Sequence, residues 1–185
     1  MNRFVVISPR EFKSSFLRVV KQKETEEGFL NCWSDRRAYN AFFLSYDGIL
    51  DEVCRGLKRN LTYHREYWYV DAILYASKVS PKHTGGFTYA NYLAAAIESE
   101  NDFSKSWQEM NKLCQFHSPL SVLITYPDSK TKYALRNFAA ICRKADVFNL
   151  FSSRLKKVIV YGAPTRGGEI EWTFYKYTEG KFVLY

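Results

Sequence analysis

Near its start the chain carries apolar residues at helical spacing. Residues 8–11 (SPRE) have the form of a capping box with proline at the first helical position. The helix that follows is predicted by an apolar stripe made of Phe12, Phe16, Val19 and Val20. A second helical pattern runs from a cap at Ser34 or Asp35 to about residue 59, and we expect Gly48 to divide or kink it. The first part of the chain is therefore predicted to be helical.

The next segment changes to a strand-like pattern with an acidic residue inside it. We predict one strand from about residue 61 to 78. Its aromatic and β-branched part, 67–75 (YWYVDAILY), carries Asp71 at its centre. The segment 77–86 contains a proline and a Gly-Gly pair and predicts a loop.

A second strand-like run ends in two acidic residues. Residues 94–100 (AAAIESE) are apolar until Glu98 and Glu100. Because side chains alternate along a strand, these two carboxyl groups lie on one face. Charged groups are almost never fully buried without a partner, so Asp71 and the two glutamates require a cation nearby.

A helix capped by Asn101 or Asp102 is predicted to follow this strand. Its apolar stripe consists of Phe103, Trp107, Met110 and Cys114. Lys105 and Lys112 project roughly opposite that stripe. We therefore expect neither lysine to reach back to the acids of the preceding strand.

The remaining pattern completes an α/β fold. It predicts a strand at 120–126, a helix from about 129, a strand at 156–161 and a β-hairpin formed by 169–177 and 181–185. We predict a single α/β domain over residues 1–185, with a mixed central β-sheet flanked by helices. Its parts are N-terminal helices at about 8–60, a carboxylate-bearing core at about 61–126, and a C-terminal helix and β-hairpin at about 129–185.

Composition and charge favour a folded domain with a polyanionic partner. The chain has 185 residues, is 46% hydrophobic, and carries 27 Lys and Arg against 19 Asp and Glu, for a formal net charge of +8. That excess favours nucleic acid. The four cysteines are widely spaced, so we expect free thiols and no zinc site. Neither a signal peptide nor a membrane-spanning run is apparent, so we expect a cytoplasmic protein without membrane contact.

The order of these elements resembles the PD-(D/E)XK nuclease superfamily, over about residues 47–126. In that family one strand supplies an aspartate, and the next supplies Asp or Glu, one residue, and then usually lysine. Asp71 and Glu98 match the two acids, and Glu100 stands where lysine is usual. Some restriction endonucleases share this Glu-x-Glu arrangement. Val70, rather than proline, precedes Asp71.

The resemblance implies a restriction-endonuclease-like core and hydrolysis of phosphodiester bonds in DNA or RNA, dependent on Mg²⁺ or Mn²⁺. It makes Asp71 and Glu98 metal ligands, and Glu100 either the acceptor of a proton from water or a ligand of a second metal. Glu52 is a candidate further acid by its position, although it lies off the apolar stripe of its helix.

Other interpretations stay open. Asp71 can instead cap a turn or pair with Arg65, and the two glutamates can lie where an edge strand meets solvent. A nuclease-like fold can also persist as a catalytically inactive module that binds nucleic acid or a protein partner. The predicted loop carries Lys78, Lys82 and His83. These side chains either contact a phosphate backbone or are simply exposed to solvent.

Overall fold

The computed structural model describes residues 6–26, 32, 35–57, 59–76, 93–126, 131–148, 150–151, 153–165 and 169–185. Within these residues the chain forms five α-helices and one seven-stranded sheet. The helices are α1 (Pro9–Lys23), α2 (Arg36–Phe43), α3 (Ile49–Gly56), α4 (Ser106–Gln115) and α5 (Thr131–Ala145). The strands are β1 (Leu61–Tyr67), β2 (Val70–Ala76), β3 (Leu93–Glu100), β4 (Leu120–Thr125), β5 (Lys156–Pro164), β6 (Ile170–Thr178) and β7 (Lys181–Leu184). The predicted α/β class is confirmed.

The N-terminal helices begin at predicted caps. In α1 the Glu11 N–H donates to Ser8 Oγ, and the Ser8 N–H donates to Glu11 Oε2, so the capping box is complete. Asp35 caps α2 by accepting from two backbone N–H groups of its first turn. Gly48 divides the second helical region and stands at the N-cap of α3. Ser34, the other candidate cap, lies outside the described residues.

The described strands follow the same order in the sheet as in the chain. β1, β2 and β3 are antiparallel, β3, β4 and β5 are parallel, and β5, β6 and β7 are antiparallel. Each parallel connection contains a helix, α4 or α5, because parallel neighbours need a long crossover. The mixed sheet and the C-terminal hairpin are therefore confirmed.

Helices cover both faces of the sheet. On one face the apolar stripe of α1 is buried, and the Phe16 ring packs against Trp172 and Phe174 of β6 at centroid distances of 5.0 and 5.8 Å. On the other face α4 and α5 enclose a second core that includes Leu123 and Phe138. Both layers exclude water from β4, which is buried along its whole length.

The prediction of a single strand from about residue 61 to 78 is wrong. The chain turns at Trp68 and Tyr69, so β1 and β2 form an antiparallel hairpin closed by the pair of Tyr67 and Val70. Neither turn residue is of the Gly, Asn, Asp or Pro type that marks a turn, so the pattern carried no signal for it. Asp71 therefore lies beside a turn rather than in the middle of a strand.

A buried lysine lies inside the second core. Lys157 of β5 is almost fully buried, and its Nζ donates to the carbonyl of Leu113 at 2.7 Å and to Ser121 Oγ at 2.9 Å. Desolvation lowers the pKa of Lys157. Cys114 and Cys142 lie in the same core, and all four cysteines of the chain are free and buried. Lys157 therefore links the C-terminal part of α4 to the sheet by hydrogen bonds.

Candidate active site

Asp71 and Glu98 lie side by side on neighbouring strands. Ala72 of β2 pairs with Ile97 of β3, so the antiparallel register places Asp71 across from Glu98. Glu98 is fully buried and Asp71 is partly buried. Asp71 Oδ2 accepts a hydrogen bond from the backbone N–H of Ser99 at 2.8 Å. Two of the three acids that the sequence singled out are thus brought together.

This placement strongly disfavours charge on Glu98. Burial first, and then the neighbouring Asp71 carboxylate, raise the pKa of Glu98 far above its ordinary value. Burial also raises the pKa of Asp71, and the hydrogen bond from Ser99 offsets part of that rise. The Lys112 ammonium, 2.8 Å from Glu98 Oε1, offsets part of the rise in the pKa of Glu98. Buried carboxylates in this situation are suited to holding a cation.

Glu100 lies at the end of β3, on the wall of a pocket of about 400 Å³. Asp71 lines the same pocket, whereas the fully buried Glu98 does not. Glu100 Oε1 accepts a hydrogen bond from the backbone N–H of Asp102 at 2.7 Å. Burial raises the pKa of Glu100. Asp71 and Glu100 therefore both border one pocket.

Two charged residues of α4, Glu109 and Lys112, also lie at the site, although the sequence analysis did not place them there. Lys112 Nζ lies 2.8 Å from Glu98 Oε1, forms an ion pair with Glu109, and donates to the carbonyl of Tyr69 at 3.0 Å. Lys105 lines the same pocket as Glu109 and Lys112. The expectation that neither lysine reaches back to the acids is therefore wrong for Lys112, whereas Lys105 forms its ion pair with Asp102 at 3.3 Å.

The error arose because α4 is rotated relative to its predicted stripe. Trp107, which was assigned to the core, is 54% exposed. The buried residues of α4 are Ser106, Met110, Leu113 and Cys114. Successive residues differ by about 100° around a helix, so placing Ser106 inward turns Glu109 and Lys112 toward β3. Ser106 is buried through a hydrogen bond between its Oγ and Thr125 Oγ1 at 2.5 Å, and a serine carries no apolar signal.

A hydroxyl network supports the end of β3 from the opposite face. Ser99 Oγ lies 2.5 Å from Tyr39 Oη, which lies 2.9 Å from Tyr126 Oη. Burial raises the pKa of both tyrosines, so they remain neutral. Because Ser99 also donates its N–H to Asp71, the network helps to hold that carboxylate in place.

Of the three acids that the sequence singled out, the structure places two, Asp71 and Glu98, directly side by side. Within the described ranges, no group of three or more His, Cys, Asp or Glu side chains is already arranged to hold a metal ion. Asp71 and Glu98 form the pair, and Glu100 contributes to the pocket wall. Magnesium commonly binds through one or two carboxylates and keeps several waters, so a pair of acids matches its requirements.

Residues considered as alternatives have other partners. Glu52 pairs with Lys23 at 3.0 Å and does not line the acidic pocket. Arg65, considered as a partner for Asp71, lies 3.2 Å from Glu66 instead. Asp71 is thus not neutralised by the arginine nearest to it in sequence. The loop candidates Lys78, Lys82 and His83 lie outside the described residues.

Comparison with known proteins gives no identification. No protein-family model, curated protein or solved structure matches this chain. None of the described helices combines the length and apolar character needed to cross a membrane. Function is therefore inferred from the geometry of the site.

Proposed function

We propose that this protein is a magnesium- or manganese-dependent nuclease that hydrolyses phosphodiester bonds in nucleic acid. The observation that carries the proposal is the pair of Asp71 and Glu98, two carboxyl groups on neighbouring strands of which the glutamate is fully buried. Burying two adjacent carboxyl groups is unfavourable for the fold. Perturbed groups of this kind beside a polar pocket are concentrated at functional sites.

The order of elements supports a restriction-endonuclease-like core. Helix α3, the antiparallel strands β1 to β3, helix α4 and the parallel strand β4 follow one another. Asp71 and Glu98 lie on β2 and on the next strand, where the resemblance to PD-(D/E)XK nucleases expects the two acids. The family motif usually has a lysine where this chain has Glu100. Lys112 of α4 supplies an ammonium group near the acids instead, because its Nζ lies 2.8 Å from Glu98 Oε1.

The residues of the site fit a hard divalent cation. Asp71 and Glu98 would hold it, since carboxylate oxygens are the ligands that magnesium prefers. When bound, the metal would lower the pKa of a water molecule and neutralise charge on a phosphoryl oxygen. The formal net charge of +8 favours approach of a polyanionic substrate.

Glu100 is the residue that we assign as proton acceptor. Its pKa is raised by burial, which brings it closer to neutral pH and makes it a better general base. In the hydrolysis, the oxygen of water bonds to phosphorus and the P–O ester bond breaks. Glu100 takes one proton from the water, and the leaving oxygen takes a proton from solvent. Lys112 offsets negative charge on the phosphoryl group.

A cleavage assay tests the proposal. The protein is incubated with manganese and labelled single- and double-stranded DNA and RNA. We expect Asp71→Asn and Glu98→Gln each to abolish metal-dependent cleavage. Glu171→Gln, which changes an exposed carboxylate on β6 at the far side of the sheet, retains it. Cleavage that persists in both site variants contradicts the proposal.

The second candidate function is a module of the same fold that binds nucleic acid or a protein partner without cleavage. The ion pair of Lys112 and Glu98 favours this alternative, because an ammonium group already neutralises part of the buried charge. Lys112→Met separates the two functions. A nuclease loses cleavage in this variant while still binding metal. A binding module shows no cleavage with or without the substitution.

A further inference from the structure

The turn between β1 and β2 has a backbone conformation that its residues disfavour. Trp68 and Tyr69 have φ values of 46° and 68°. A two-residue hairpin turn of this kind needs positive φ at both central positions and is usually built from Asn-Gly or Asp-Gly. Residues with large side chains are sterically unfavourable in this region. The turn is therefore strained.

A second two-residue hairpin of the same chain is built from more favourable residues. β6 and β7 join through Glu179 and Gly180, with φ values of 51° and 80°. Glycine adopts such a conformation without a steric cost. The same type of backbone thus carries a glycine at one turn and two aromatic residues at the other. Turn formation alone does not explain Trp68 and Tyr69.

Packing does not explain these two residues either. Tyr69 is 88% exposed and Trp68 is 62% exposed. The Trp68 ring meets the Tyr67 ring at a centroid distance of 6.5 Å, and much of its remaining surface faces solvent. The hairpin therefore presents two adjacent aromatic rings to solvent.

The turn is joined to the candidate active site through its backbone. The Tyr69 carbonyl accepts a hydrogen bond from Lys112 Nζ at 3.0 Å, and the same Nζ lies 2.8 Å from Glu98 Oε1. Glu66 of β1 lines the pocket together with Asp71. One lysine thus connects the backbone of the turn to the buried carboxyl groups, and the turn directly follows a strand that contributes to the pocket wall.

We propose that Trp68 and Tyr69 stack against unpaired bases of a single-stranded nucleic acid whose phosphate backbone enters the acidic pocket. This inference rests on the proposed function and names its substrate class. Every base has a face that an aromatic ring can stack on, whereas bases in a duplex are already stacked on each other. Residues in strained backbone conformations are concentrated at functional sites. A role in binding therefore explains why this turn carries two aromatic residues where glycine is favoured.

The test uses the double variant Trp68→Asn/Tyr69→Gly, which supplies preferred turn residues, removes both rings and leaves the net charge unchanged. Its binding to fluorescent single- and double-stranded oligonucleotides is measured by anisotropy in EDTA, so that no metal-dependent cleavage occurs. We expect affinity for single strands to fall at least about tenfold and affinity for duplex to stay the same. Relief of strain raises Tm by about 2–6 °C.

Phe148→Ala is the matched control, because it removes a ring that is 80% exposed elsewhere on the surface. We expect this variant to keep wild-type affinity. Unchanged binding of single strands by the hairpin variant, an equal loss for duplex, or a lower Tm overturns the inference. The nuclease proposal is judged separately, by whether manganese-dependent cleavage requires Asp71. Ring-dependent binding of single strands without any cleavage supports the stacking site while the nuclease proposal fails.

Discussion

Replacing Glu98 with glutamine is expected to stabilise the metal-free protein and to remove its response to metal. Glu98 is fully buried, and burial together with Asp71 raises its pKa. Glutamine keeps the shape of the side chain and removes the charge. Lys112 retains Glu109 and the carbonyl of Tyr69 as partners, so the substitution leaves no isolated buried cation.

The size of the gain follows from the raised pKa of Glu98. Each unit by which a pKa is raised corresponds to about 1.4 kcal/mol of free energy. Lys112 and structural relaxation offset part of the penalty, so we expect a net gain of about 1–3 kcal/mol near neutral to mildly alkaline pH. For a chain of this size, that gain raises Tm by about 2–10 °C.

The gain depends on pH in a defined direction. The ordinary pKa of a glutamate is 4.5, and the folded-state pKa of Glu98 lies far above it. Well below that ordinary value, the carboxyl group is protonated in both the folded and the unfolded chain and contributes no difference. As the pH rises, only the unfolded chain releases the proton freely, so wild type loses stability relative to Glu98→Gln. The difference is therefore small in acid and grows toward alkaline pH.

Thermal unfolding followed by circular dichroism, with EDTA or with manganese, measures both effects. A metal at 100 times its Kd stabilises the wild type by about 2.7 kcal/mol, and we expect no such rise for Glu98→Gln. Glu171→Gln behaves like wild type. A lower Tm for Glu98→Gln than for wild type at alkaline pH in EDTA refutes the reasoning. An equal difference between the two proteins at acidic and alkaline pH also refutes it.

Three further predictions concern the rest of the fold. Burial lowers the pKa of Lys157, so as the pH rises the folded protein loses this proton at a lower pH than the unfolded chain does. We therefore expect the stability of wild type relative to Lys157→Met to increase as the pH approaches the ordinary pKa of 10.5. Parallel curves of Tm against pH contradict this. Ser8→Ala removes the cap of α1 and lowers Tm by about 2–4 °C, whereas Ser14→Ala, on its exposed side, has little effect. Gly180→Ala places a side chain at a φ of 80° and costs about 1–2 kcal/mol in urea unfolding. A neutral result would mean that the turn relaxes.

Local signals in the sequence were sufficient to predict the elements near both ends of the chain. Ser8 and Glu11 form their capping box across three residues, so no distant contact is needed to define the start of α1. Gly48 interrupts the second helical region for an equally local reason. The hairpin of β6 and β7 was predictable because Gly180 marks its turn.

The candidate site was predictable only in part. Asp71 and Glu98 stood out because an acid in an apolar strand is unusual. The contact of Lys112 with Glu98 depends on the rotation of α4, which tertiary packing sets. The turn at Trp68 escaped detection because its residue types favour strands. The parts that were missed are those in which a local preference gives way to a distant contact or to strain.

The order of strands has a consequence for how the chain folds during its synthesis. Each described strand pairs with the one made just before it, so a strand leaving the ribosome meets an edge that already exists. Helix α1 is different, because Phe16 packs against Trp172 and Phe174 near the other end of the chain. Until β6 has been translated, part of the apolar face of α1 stays open to water. The nascent protein is therefore expected to be most prone to aggregation before its last hairpin emerges.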